Sequence, residues 1–135
     1  MHTKLVCFVA GIGVLLAVTP VTTHHAFSAE FDIDKPLNLT GTLVKWEMIN
    51  PHSWFHIDIH YADGTLVTWM VEGGSPNELI RLRVTKNTLV IGTELVVDGY
   101  QAKDGMAKAV GRDFTLFDGQ RLFLGGSANR IGNDR

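Results

Sequence analysis

The run Trp54-Phe55-His56-Ile57-Asp58-Ile59-His60-Tyr61 constrains this chain more than any other segment. Phe55, Ile57, Ile59 and Tyr61 alternate with Trp54, His56, Asp58 and His60. A strict period of two over that length fits a strand with one buried face, and the spacing predicts a strand over Ser53–Tyr61. Ala62-Asp63-Gly64 follows. Asp-Gly tolerates the positive φ values of a tight hairpin, so the chain is expected to return as a second strand over Thr65–Glu72.

Around that hairpin the punctuation is regular. Leu39–Ile49 carries Thr, Val and Trp and reads as an earlier strand, with Val44, Trp46 and Met48 on one face, ended by the turn Asn50-Pro51. After Gly73-Gly74, Ser75-Pro76-Asn77-Glu78 announces a helix. Serine suits the N-cap, proline the first helical position, and glutamate three residues after the cap completes a capping box. The helix is expected from Pro76 to about Val84, burying Leu79, Ile80 and Leu82. Strands over Glu94–Ala102, Met106–Phe117 and Gln120–Leu124 follow, separated by Lys103-Asp104-Gly105 and Asp118-Gly119 turns.

Three strands, one helix and two more strands with a short extension give a mainly β fold. The expected form is a small OB-like Greek-key barrel of five to six strands, with the helix between strands 3 and 4. An open meander with one covering helix is the alternative. The organisation expected is a signal peptide over 1–23, an extended N-terminal arm over 24–38, the domain over 39–124 and a disordered tail over 125–135.

The leader is read from its order: charged Met1–Lys4, an apolar run Leu5–Val18 and polar Thr19–Thr23. Its apolar run is about 14 residues, short of the ~20 that cross a bilayer, and nothing later approaches that length. Cleavage is placed near Thr23, with Ala17 and Ala29 as rival ends. The expected location is therefore the bacterial periplasm or the secreted fraction, with no membrane span after cleavage. The only cysteine, Cys7, lies within the leader. The mature chain then has neither a disulfide nor a thiolate for metal or catalysis. Net charge is −2 and the basic residues do not cluster, which argues against a nucleic-acid partner.

Several strings carry a resemblance. They are His24-His25-Ala26-Phe27, Thr40-Gly41-Thr42-Leu43, Asn50-Pro51-His52, Gly74-Ser75-Pro76-Asn77, Ala102-Lys103-Asp104-Gly105 and Leu116-Phe117-Asp118-Gly119. In this order and spacing they resemble a family of small exported bacterial proteins known only as a domain of unknown function. The resemblance spans essentially the whole mature chain and implies a strand-rich body, but no activity. Where relatives favour a Gly-Trp pair after the helix, this chain has Arg83-Val84. A Lys-Pro-Gly-Asp type of turn before the fourth strand is replaced by Val90-Ile91-Gly92-Thr93.

The candidate chemistry lies in five histidines, His24, His25, His52, His56 and His60. A leader cut before His24 would let its amine and imidazole chelate one copper ion with a third nitrogen such as that of His52, and a cut one residue earlier would put His25 third, an arrangement that binds Cu²⁺ or Ni²⁺. Met48 and His52, with Trp46 and Trp54 nearby, offer a thioether, an imidazole and aromatic faces suited to Cu⁺. His56, Asp58 and His60 share one strand face about 6–7 Å apart. Each set also has a plain reading: an extended arm, core side chains, a turn-fixing histidine and a solvated face.

For catalysis, Ser28, Ser53 and Ser75 lack a nucleophile-elbow setting, and the acidic run Glu30, Asp32 and Asp34 shows no paired-carboxylate geometry. The expected function is a non-enzymatic binding module for an unknown ligand, its site drawn from His24, His25, His52, Trp54 and His56. A copper or divalent-metal protein using His24, His25, His52 and Met48 is the alternative. A structural domain docking a periplasmic protein on the Trp54/His56 face is the third. No cofactor is firmly implied; copper is the candidate.

Overall fold

The hairpin dictated by the alternating run is formed in the structure, a computed structural model that describes residues 27–122. Among the described residues six strands are formed: β1 (Phe31–Glu47), β2 (Trp54–His60), β3 (Leu66–Glu72), β4 (Glu94–Ala102), β5 (Lys108–Leu116) and β6 (Arg121–Leu122). One helix, α1 (Pro76–Arg81), lies between β3 and β4, and residues 27–30 make a helical turn ahead of β1. The domain is mainly β. The leader, His24, His25 and the tail over 125–135 lie outside the described residues.

The hydrogen-bonded order is β3-β2-β1-β4-β5-β6, each neighbouring pair antiparallel. A parallel pairing of β3 with β5 is added through Met70↔Lys108, Val71↔Ala109 and Glu72↔Val110. Each of the first five strands therefore has a strand on both sides. Among the described residues no helix is long and apolar enough to cross a membrane.

β1 departs from its expected limits. It starts at Phe31, eight residues before the expected Leu39, so residues 31–38 of the expected arm are continuous with the sheet. Pro36 sits opposite Tyr100 at the edge of an irregularity between Phe31 and Pro36, where a strand tolerates a residue without an N–H. A second irregularity, between Leu43 and Lys45, changes which side chains face inward. Leu43 is fully buried before it and Trp46 is buried after it, while Val44 is pushed outward and exposed. The expected shared face of Val44, Trp46 and Met48 is corrected accordingly.

Phe55, Ile57 and Ile59 fill the core as the alternation requires, but Tyr61 lies past the end of β2 and is exposed. Its hydroxyl accepts from Trp69 Nε1 at 3.0 Å. Trp46 stacks on Phe55 at 5.4 Å, and Phe55 meets Phe114 at 5.2 Å. A second, smaller cluster of Phe27, Phe31, Ala102 and Val110 lies on the other face of β4 and β5, with Tyr100 edge-on to Phe27 at 6.2 Å. The register slips opposite Gly99, where β5 carries the extra residue Arg112, and a Cβ on Gly99 would meet the Val110 carbonyl oxygen.

The helix begins as its sequence demands. Ser75 is the N-cap, its Oγ accepting from the Glu78 N–H at 3.3 Å, and Pro76 opens the first turn. The helix ends earlier than expected. Arg83 adopts φ 58°, its N–H donates to Ile80 O at 3.0 Å, and Val84 N–H donates to Leu79 O at 2.9 Å. This pair of bonds is a Schellman end, which normally calls for glycine at the left-handed position. Val84 folds back into the core, and only Leu79 of the expected helical core residues is buried. Ile80 and Leu82 are left exposed.

A left-handed conformation costs a non-glycine residue about 1 kcal/mol, and glycine gives back about half of that through unfolded-state entropy. Arg83→Gly is therefore expected to stabilise the domain by about 0.5 kcal/mol, or about 2–4 °C in thermal midpoint. A lower midpoint in a thermal melt would contradict this account of the helix end.

Candidate functional site

The turn between β1 and β2 is fastened to the chain that follows β3. Ser53 N–H donates to Gly74 O and Gly73 N–H donates to Ser53 O, both at 2.9 Å. The turn contains a cis Asn50–Pro51 peptide. These bonds set His52 beside Glu72, with Nδ1 2.8 Å from Oε1. The Glu72 side chain is 5% exposed and the His52 side chain 35%. An ionised carboxylate only accepts, so against it Nδ1 carries the proton and Nε2 keeps its lone pair.

A second pair of the same kind stands on the other side of Trp54. His56 Nε2 lies 2.8 Å from Glu47 Oε2, and Lys45 Nζ lies 2.8 Å from Glu47 Oε1. Hydrogen bonds from Lys45 and then His56 hold the Glu47 carboxyl below the usual carboxylate range. In the ladder Trp54 is opposite Glu47 on β1 and opposite Glu72 on β3. The three side chains therefore leave the sheet on one face, with the partly exposed indole between two carboxylates, each held by a histidine.

The N-terminal segment borders this face. Lys108, opposite Met70 on β3, places Nζ 2.6 Å from Glu30 Oε1. That bond raises the Lys108 pKa against a smaller effect of burial, with Asp104 and Glu72 adding attraction. Lys103 N–H donates to Glu30 O at 2.9 Å, fixing the same segment by its backbone. Val110, the register partner of Glu72, belongs to the cluster that holds Phe27 and Phe31.

Of the side chains singled out from the sequence, His52, Trp54 and His56 lie together along this outer face. Met48 packs against the main core, and His24 and His25 lie outside the described residues. The row His56, Asp58, His60 does not converge. His56 engages Glu47, Asp58 Oδ1 accepts from Thr68 Oγ1 at 2.5 Å, and His60 is exposed. Among the described residues no three His, Cys, Asp or Glu side chains come close enough to hold a metal ion. Ser53 is fully buried and cannot meet a substrate, and Ser75 caps the helix.

Glu47, Glu72, Met70 and Lys108 escaped the sequence reading. The signal for Glu72 was available: a short Asp63-Gly64 turn sets the hairpin register, which brings residue 72 opposite Trp54. A cleft of about 390 Å³ between the helix end and the β5–β6 hairpin is lined mainly by Leu82, Val84, Leu89, Leu116 and Leu122. Its one charged lining residue is Arg83.

A family model described as a family of unknown function, DUF6152, matches residues 13–112, about three quarters of the chain. The chain belongs to this family. The matched span contains β1 to β4, both His–Glu pairs and the first half of β5 of this DUF6152 protein. No curated protein matches the chain.

Two outcomes check the geometry. His52→Ala removes a hydrogen-bond donor from a buried carboxylate and is expected to cost about 2 kcal/mol in urea unfolding. Unchanged stability would show that Glu72 does not depend on His52. Lys108→Met is expected to lower the thermal midpoint slightly. Because the folded pKa of Lys108 is raised, its contribution is present below the ordinary lysine range and lost as pH rises through the folded value. The gap between wild type and Lys108→Met should stay constant at neutral pH and close at strongly alkaline pH. A gap that widens there would refute the tether.

Proposed function

We propose that this protein is an exported, non-enzymatic binding module with an OB-like Greek-key architecture, and that its ligand site is the outer face of β2 around Trp54. The architecture is supported by the cyclic pairing β1-β2-β3-β5-β4-β1 and by a helix between β3 and β4. Folds of that kind take ligands on the face of strands 2 and 3, between the loops joining strands 1–2 and 4–5. Here those loops carry His52 and Lys103–Ala107. Export is supported by the charged, apolar and polar order of the first 23 residues.

The observation that carries the reading is the outward indole of Trp54 flanked by two histidines that carboxylates hold in place. An aromatic plate supplies binding area at low entropic cost, and fixed polar groups beside it supply orientation. His52 and His56 each keep one ring nitrogen free to meet the ligand, because the other is engaged by Glu72 or Glu47.

A second reading, a copper or divalent-metal protein using His24, His25, His52 and Met48, draws support from one feature. Phe27 is anchored in the cluster containing Val110, the neighbour of Glu72, so the chain preceding it starts within a few residues' reach of this face. A histidine oriented by a carboxylate, as His52 is by Glu72, is also the usual form of a metal-ligating imidazole.

One NMR experiment separates the readings. Methyl glucoside, tetramethylammonium, N-acetylglycine and catechol stand for hydroxylated, cationic, anionic and aromatic ligands, and Cu²⁺ is the fifth probe. The binding-module reading expects at least one organic probe to shift the Trp54 indole N–H and the His52 and His56 rings, with the response lost in Trp54→Ala. Cu²⁺ broadening centred on His52 and abolished by His24→Ala/His25→Ala would favour the metal reading. Shifts confined to the Leu82–Leu122 cleft, or no response to any probe, would overturn both.

A further inference from the structure

We infer that His56 and Met70 form a binding site for a soft monovalent cation, Cu⁺ or Ag⁺, on the outer face of the β2–β3 hairpin. The inference rests on reading that face as the ligand face, and deepens it by naming an ion class and a donor pair different from His24, His25, His52 and Met48.

His56 and Met70 are directly opposite in the ladder. Partners so placed leave the sheet on the same face with Cβ atoms about 4.5–5.5 Å apart, within reach of one shared ion. Imidazole nitrogen and thioether sulfur together select a soft ion such as Cu⁺.

The imidazole is prepared for this role. Nε2 is engaged by Glu47 Oε2 at 2.8 Å, so Nδ1 is the nitrogen that retains a lone pair. Among the described residues Nδ1 has no hydrogen-bond partner. It is not sealed either, because the buried side-chain nitrogens and oxygens without partners are those of Trp46 and Ser53. A carboxylate on the far nitrogen fixes the ring and raises its basicity toward a metal. Lys45 holds the second oxygen of Glu47 at 2.8 Å, which keeps that carboxylate in its supporting place.

The thioether is available as well. Met70 is 39% exposed, on the face opposite the buried Val71, so its sulfur is not committed to the core. Trp54, two residues before His56, shares the face about 6–7 Å away, where an indole can shield or attract a cation. Lys45 and Lys108 flank the pair across the sheet, and each is neutralised by a glutamate. A hard or divalent ion would want three or more His, Cys, Asp or Glu donors, which do not converge among the described residues. A soft d¹⁰ ion is satisfied by two or three donors.

The test is a titration of silver nitrate into the full chain carrying Cys7→Ser, which removes the thiol that would compete for silver. The methionine ε-methyl signals are followed by NMR. The Met70 signal should shift and saturate at one equivalent, with Met48 and Met106 unmoved. Met70→Leu and His56→Gln should each abolish saturable binding. Glu47→Gln, which alters only the support, should weaken binding about 10–100-fold. His24→Ala/His25→Ala and His52→Gln should leave it unchanged. A stationary Met70 signal, or binding untouched by His56→Gln, overturns the inference. If Met70 stays still while an organic probe shifts Trp54, the ion site fails and the ligand-face reading stands. If silver moves Met70 and no organic probe binds, the reverse holds.

Discussion

The joining of the sheet's two ends and the approach of the N-terminal segment depend on the short parallel ladder between β3 and β5. Three residues of each strand take part, yet they join the β1–β2–β3 meander to the strands that follow the helix. Parallel pairs require a long crossover, and here α1 and the chain up to β4 supply part of it. The same three rungs set Lys108 beside Met70 and Val110 beside Glu72. They thereby bring the N-terminal segment, held by Glu30 and Phe27, up to the edge of the face that carries Trp54.

The two His–Glu pairs differ in what they do for the fold. Glu72 is buried, so its interaction with His52 offsets a desolvation cost, and loss of His52 is felt as lost stability. Glu47 is more open to water, and its contacts with Lys45 and His56 are better seen as fixing orientation than as holding the domain together. Trp54 sits in register with both carboxylates, so the more and the less costly halves of the face meet at one indole.

Much of the fold was legible because it follows from local rules. The β2–β3 hairpin was given by alternation and an Asp-Gly turn, and the start of α1 by Ser75, Pro76 and Glu78. What escaped depends on tertiary context. Arg83 ends the helix in a conformation for which its type carries no signal. The continuation of β1 back to Phe31 depends on an irregular rung that accommodates Pro36. His52, Trp54 and His56 could be singled out as chemically capable, but their partners Glu72 and Glu47 emerge only from the register. Met70 takes its significance from His56, the cross-strand neighbour that the register gives it.

The irregularity at Leu43–Lys45 has a consequence for how this chain can vary. From Leu37 to Leu43 the odd-numbered residues of β1 point toward the core; past it, Lys45 and Glu47 point out and Trp46 points in. The extra residue acts as a phase shift between two halves of one strand. Deleting a single residue there would not simply shorten a surface strand. It would drive Glu47 inward and Trp46 outward, exchanging the support of His56 with the partner of Phe55. Length, rather than identity, is what position 44 contributes: many side chains could stand in for Val44, but the residue itself cannot be dispensed with.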